Sequence, residues 1–302
     1  MLHIECDDPA VGSAVERWLK NSALVISPPL TIRLKIGDPS PIPSTAGQIF
    51  RQGSVEIVTQ SDSGETSLGW TLAPATARLE DGVPVAEVVL SPEAAKLLDM
   101  ALRSFFLAVV IFLVRRAGYH HVHAATAQDP EGNGWLFAGN AQAGKSTTAA
   151  LLASWGWAVG TDDIAFLAAG HAAVDVVSFR EPIALRPGGY DLLQRHVGVP
   201  IPERDKVGCT PEELGGSWAP RVTPNLVLFP TVGDGCTSVS RIPAREALVE
   251  LVKWSAWVVL EPSLAQEHLE LLTRLAKQAR SFRITLGRDL FSDPSILNEL
   301  TA

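Results

Sequence analysis

The stretch GNAQAGKSTT, residues 139–148, sets Gly139, Gly144, Lys145 and Ser146 at the spacing G-x-x-x-x-G-K-[ST]. A glycine-rich turn of this form aims backbone N–H groups at phosphate oxygens, at the positive end of the helix it opens. The expected nucleotide contacts are therefore Gly139, Asn140, Ala141, Gln142, Ala143, Gly144, Lys145, Ser146 and Thr147. In this pattern the lysine brings a cation to the β- and γ-phosphates, and the Ser146 hydroxyl can ligate magnesium. Lys145 is expected to lie exposed on its loop and to support little packing. The pair Asp162–Asp163 follows 17 positions after Lys145 (162 − 145). One carboxylate there can hold the metal or its water, and the other can accept a proton from an attacking hydroxyl. The plainer use of such a pair is to cap a following helix. His120, His121 and His123 stand in HHVHAA. They suggest zinc, but no further ligands at suitable spacing accompany them. His123, entering a strand just ahead of the cradle strand, is better placed to approach phosphates or a metal-bound water.

These groups need strands and helices to hold them. VHAATAQ and GWLFAG read as two short strands joined by the turn DPEGNG, and KSTTAALLASWG as the helix behind the cradle, stopped by Gly156. WAVGTDD is the next strand, with the aspartate pair at its carboxyl end, where open α/β sheets bind ligands. AAVDVVSF, PNLVLFPTV and SFRITLG supply further strands. PAREALVELVKW and SLAQEHLELLTRLAKQA are amphipathic helices, the second with Ser263 as its expected cap. Pro187 to Pro224 reads as a long irregular stretch, rich in Gly and Pro, with the charges Glu203, Arg204, Asp205 and Lys206. Loops of that length often border a site.

Residues 1–90 read as short strands and turns, with LTIRLKIG, SVEIVTQ and AEVVLS as strands. A helix from Pro92 to Ala117 follows, with Ser91–Pro92–Glu93 as its start and Gly118 as its stop. Its run FFLAVVIFLV has about half the ~20 residues a membrane-spanning helix needs, so burial within the protein is expected. The organisation is then a mainly β region over 1–90, a connecting buried helix over 91–118, and a nucleotide-binding part over 119–302. The formal net charge of −8 gives no basic footprint for nucleic acid or anionic membrane. Hydrophobic residues at 46% exclude a disordered chain. Cys6, Cys209 and Cys236 are too few and scattered for a disulfide framework, and reduced, buried thiols are expected. The opening MLHIECDDPAVG has acids where a secretory signal has a positive flank, so a cytoplasmic protein is expected.

VHAA, WLFAGNAQAGKSTTAALLASWGWAVGTDD and SFREPIALRPGG together resemble the C-terminal catalytic domain of the HPr serine kinase family. They look most like the HPr-kinase-like proteins of peptide tailoring, including lasso-peptide kinases. The resemblance is firm over residues 119–190. It implies an α/β fold: a P-loop catalytic domain of the HPr kinase/phosphoenolpyruvate carboxykinase type behind a smaller, mainly β region. It implies a kinase using ATP and Mg2+ to phosphorylate a serine on a peptide or small protein, and it implies oligomers. By position, His123 is the phosphate-proximal histidine and Asp162 or Asp163 the base, with Lys145 also catalytic. Ser146 and Asp163 are the expected metal ligands. Arg180 and Arg186 fall near the family's basic or substrate-facing groups. An EIRG-type signature is replaced by FREPIALRPGG, so neither HPr as acceptor nor the reverse reaction is carried over. Arg204, Lys206 and Arg221 are candidates to meet the acceptor's anionic end. A small-molecule kinase and a nucleotide-gated regulatory protein are the competing readings.

Overall fold

The computed structural model describes residues 2–20, 22–42, 48–60, 64–193, 197–201, 205–293, 295–298 and 300. The chain is mixed α/β and divides into two units. One holds Met1–His120 with Trp257–Glu267, the other His121–Ala256 with His268–Ala302.

In the first unit, Asp8 starts the helix that follows β1 (Leu2–Cys6). Its carboxylate accepts from the N–H groups of Ala10 at 2.9 Å and Val11 at 3.1 Å, and Pro9 occupies the first helical position. The resulting α1 (Pro9–Leu19) buries Val11, Val15, Trp18 and Leu19 and was not expected from the sequence. It crosses over to β2 (Leu30–Ile36), parallel to β1. Then come β3 (Gln48–Gln52), β4 (Val55–Gln60), β5 (Glu65–Trp70), β6 (Ala75–Glu80) and β7 (Val85–Leu90). Among the described residues these seven strands form one sheet in the order β1-β2-β7-β6-β5-β4-β3. Its buried face carries Ile32, Leu34, Val88, Leu79, Leu68 and Ile57. On its other face Arg33 bridges Glu5 and Glu87.

The expected long helix is segmented: α2 (Pro92–Lys96), α3 (Leu98–Ala101), a π-helical turn over Leu102–Phe106, and α4 (Leu107–Arg115). Ser91 caps its start through the N–H of Ala94. The break falls at Leu97, whose ψ of 28° leaves the helical region. Every residue of α4 from Ala108 to Arg115 is buried. No helix among the described residues is long and apolar enough to cross a membrane.

Trp257–Glu267 belongs to this first unit. Glu261, 3% exposed, accepts from Arg116 at 2.9 Å and Thr66 at 3.1 Å, and its other oxygen lies 3.2 Å from Arg115. Arg115 also donates to the Trp257 carbonyl at 2.7 Å.

The second unit opens with β8 (His120–Gln128), paired antiparallel with β9 (Gly134–Ala138). Asp129 ties their turn by accepting from the Asn133 backbone and side chain and from the Trp135 indole. Then come α5 (Lys145–Ser154), β10 (Ala158–Thr161), β11 (Ile164–Ala169), β12 (Val174–Ser178) and β13 (Ile183–Leu185). The stretch expected to be irregular holds short elements instead: α6 (Pro187–Leu192), β14 (Val199–Pro200), β15 (Val207–Cys209), α7 (Pro211–Leu214), β16 (Ser217–Trp218) and β17 (Arg221–Val222). The unit continues through β18 (Pro224–Val232), β19 (Ser238–Ile242), α8 (Ala244–Lys253), the part of α9 (Pro262–Gln278) from His268 onward, and β20 (Arg280–Leu286). Helix α9 begins at Pro262, so Ser263 lies inside it and does not cap it.

The main sheet runs β17-β12-β11-β8-β9-β18-β20-β19, with β10 also on β8. Strands β9, β18 and β20 are parallel. Strands β9 and β10 both run antiparallel to β8, so α5 links two strands of the same direction. Trp135, Phe137, Leu152, Val159, Leu228 and Ile284 fill the core beneath α5. All three cysteines are free; Cys209 is buried, but Cys6 is half-buried and Cys236 exposed, against expectation.

Candidate functional site

Strand direction gathers the chemistry at one edge. The turn 139–144 leaves the carboxyl end of β9 and Asp162–Asp163 leaves that of β10, while His123 sits near the start of the antiparallel β8. Antiparallel pairing brings the start of β8 to the same sheet edge as the ends of β9 and β10. The register confirms it, with Ala124 opposite Ala138 and Thr126 opposite Thr161.

The turn is conformationally demanding. Gly144 has φ +94°, and a Cβ there would meet Leu286 at 2.7 Å. Gln142 has φ +68° and is the non-glycine residue with positive φ among the described residues. Such a conformation costs of order 1–3 kcal/mol and persists only where the surroundings enforce it. The carboxyl ends of β18 and β20 flank the turn, through Val232 and Leu286.

Lys145 is buried, not exposed. Its ammonium donates to the Gly139 carbonyl at 2.7 Å, to the Asn140 carbonyl at 2.8 Å, and meets His123 Nε2 at 2.8 Å. Burial pulls it down to about 8, against the upward pull of Asp163 and Asp162. On its far side His123 Nδ1 contacts the Asp163 carboxylate at 2.5 Å. With the proton on Lys145, His123 Nε2 accepts and Nδ1–H donates to Asp163, which fixes the tautomer. Lysine, imidazole and carboxylate thus form a continuous chain.

The two aspartates are separated by the bend between β10 and β11. Thr161 Oγ1 accepts from the N–H groups of Asp163 at 3.2 Å and Ile164 at 3.0 Å, a local turn of the kind threonine favours. A strand follows the pair, so there is no helix for it to cap. The Asp162 side chain turns inward, with its residue 5% exposed. It accepts from the Ala184 N–H of β13 at 3.1 Å and hydrogen-bonds the Ser146 hydroxyl. Burial and the neighbouring Asp163 charge push its carboxyl up; the two hydrogen bonds oppose them. Asp163 turns outward, its side chain 57% exposed. Desolvation by the groups around it would raise its carboxyl, but the hydrogen bond and charge of His123, with His121 and Lys145 behind, hold it down at about 2. The expected partnership of Ser146 with Asp163 is therefore exchanged: the hydroxyl meets Asp162, and Asp163 is engaged by His123.

Of the remaining expected residues, Asn140 caps its own turn by accepting from the Ala141 N–H, and Ala143 N–H returns to the Asn140 carbonyl. Thr147 lies against Gly189 of α6. His120 and His121 are buried, pushed down to about 4 and about 3 by desolvation, and His121 packs edge-on against Phe166. Among the described residues no group of three or more His, Cys, Asp or Glu is placed to hold a metal. Arg180 is occupied, 2.7 Å from Glu212 and over the Trp218 ring. Arg221 is paired with Asp175 at 3.0 Å. Arg186 is the exposed N-cap residue of α6. Glu203 and Arg204 lie outside the described residues. Thr161 and the Ala184 N–H were not anticipated; a threonine before paired aspartates is the one signal the sequence offered. The chain matches no protein-family model, and no curated protein matches it.

Proposed function

We propose that the protein is an ATP-dependent kinase that transfers the γ-phosphoryl group to a serine hydroxyl of a peptide or small protein. On this reading the second unit is a P-loop domain of the HPr kinase/phosphoenolpyruvate carboxykinase type. The observation that carries it is the Lys145–His123–Asp163 chain, set beside a strained glycine turn at a helix start. The first backbone N–H groups of α5 have no acceptors within the helix, and such free donors are what an anion site uses.

Ser146 and Asp162 offer two hard oxygen donors already hydrogen-bonded to each other, which suits magnesium. Magnesium bound there would neutralise charge on the phosphate oxygens. Lys145 would exchange its own turn's carbonyls for phosphate oxygens. Asp163, the outward carboxylate, would receive the acceptor's proton as the serine oxygen bonds to γ-phosphorus and the bond to the β-phosphate oxygen breaks. A carboxylate at about 2 is a weak base. That is tolerable here, because the transition state is loose and the acid–base share is small beside positioning. His123 would hold Asp163 in place and hand its position to neither metal nor solvent.

Labelled ATP offered to serine-bearing peptides, free serine and small polyols tests the reading. Label on a peptide serine is expected. Label on a polyol alone makes the protein a small-molecule kinase. Tight Mg-ATP binding with no transfer to any acceptor favours a nucleotide-gated regulator.

A further inference from the structure

Strands β13, β15 and β14 form a small separate sheet whose edge strand β13 reaches the site through the Ala184–Asp162 hydrogen bond. Ile183 pairs with Cys209, Ala184 with Gly208 and Leu185 with Val207. Ile183, Leu185 and Cys209 are buried in the core. Side chains alternate across a strand, so the opposite face carries Ala184 and Gly208 and, extended by two, Lys206. The backbone there is held by the Lys206 carbonyl, which accepts from Ile201 N–H at 2.9 Å. Lys206 is half-buried, and among the described residues its ammonium has neither hydrogen-bond nor ion-pair partner. Its charge is felt by both Lys145 and Asp162.

A half-buried ammonium with no partner among the described residues, on a strand that pairs with the one meeting Asp162, is suited to receive an anion at the site. With magnesium held at Ser146 and Asp162, the outward Asp163 carboxylate still faces the incoming polyphosphate, and Lys145 is the one cation of the glycine turn that meets it. We propose that Lys206 is a second cation for the transferring phosphoryl group, delivered by the start of β15, which pairs with β13, and not by the glycine turn. This inference rests on the kinase reading. In a loose transition state negative charge develops on the β–γ bridging oxygen as its bond to phosphorus breaks, so a cation placed by Lys206 across the transferring group and that oxygen should act there more than in the ground state.

The test compares Mg-ADP with Mg-ADP plus aluminium fluoride, which imitates the transferring group, by titration calorimetry. Lys206→Gln should bind Mg-ADP within about threefold of the natural protein yet lose about 100-fold in affinity for the fluoride complex, with kcat falling and KM nearly unchanged. Lys206→Arg should recover most of both, and a melting curve checks that each variant is folded. Undiminished fluoride-complex binding in Lys206→Gln overturns the inference while leaving the kinase reading intact. A natural protein that binds no Mg-ADP overturns both together.

Discussion

The ammonium of Lys145 is shared between two carbonyls of its own turn and the imidazole of His123. Bound phosphate favours the charged form, so Lys145 titrates higher in a nucleotide complex than its free value of about 8. Affinity for Mg-ATP should therefore fall as pH rises above about 8, and binding there should take up a proton. Calorimetry in two buffers of different protonation enthalpy measures this uptake, which Lys145→Met should abolish. The sign for stability follows the same residue. The unfolded chain keeps the proton to 10.5 and the folded one releases it from about 8, so this residue's contribution to stability rises across that interval. The aspartates should separate. Asp163→Asn should keep Mg-ATP binding while transfer slows by about 10²- to 10⁴-fold. Asp162→Asn should in addition demand more magnesium. Full rates in both variants would show that neither takes part in transfer. Residue types and spacing made the turn, the aspartate pair and His123 legible as candidates. They did not show the burial of Lys145 or the direction of each carboxylate. The bend at Thr161 and the approach of β13, 22 residues after Asp162, decide those.

Elements with strict alternation or a clear stop were legible: β2, β4, β7 and β18 lie where the pattern puts them. β5 and β6 escaped because ETSLGW and ATARLE carry Thr, Ser and Gly where a strand shows a branched apolar run. α1 escaped although Asp8 and Pro9 are good starting signals, since the same residues read equally well as a turn. The π-helical turn at Leu102–Phe106 carries Phe105 onto Trp70, a long-range contact that local pattern does not contain. One element-level test lies in β10. A Cβ on Gly160 would stand 2.2 Å from the Ser178 hydroxyl and 2.4 Å from that of Thr126. Gly160→Ala should destabilise the fold by about 1–3 kcal/mol through overpacking, read from urea unfolding, and should slow transfer by displacing the bend. An unchanged midpoint would mean that β10 has more slack than these distances allow.

For the molecule as a whole, the informative feature is the return of Trp257–Glu267 to the first unit. Glu261 there is the carboxylate that both Arg115 and Arg116 meet in the interior. Removing one partner of a buried pair leaves an uncompensated charge, so Glu261→Gln should cost about 3–5 kcal/mol. Urea unfolding followed by tryptophan fluorescence would measure it. A fragment of residues 1–120 should fail to give a dispersed NMR spectrum, because it carries the arginines without their acid. The order of β region, apolar helix and α/β part was legible in the sequence, but an ion pair spanning 145 positions has no local signature. That separation also sets a clock during synthesis. At about 5–20 residues per second, the ribosome needs about 7–30 s after Arg116 before Glu261 is even polymerised. Throughout that interval the nascent chain carries two arginines next to an apolar helix before the carboxylate that both meet has been made, a natural target for chaperones. A premature stop codon between positions 121 and 260 would thus release not a spare N-terminal module but a protease substrate.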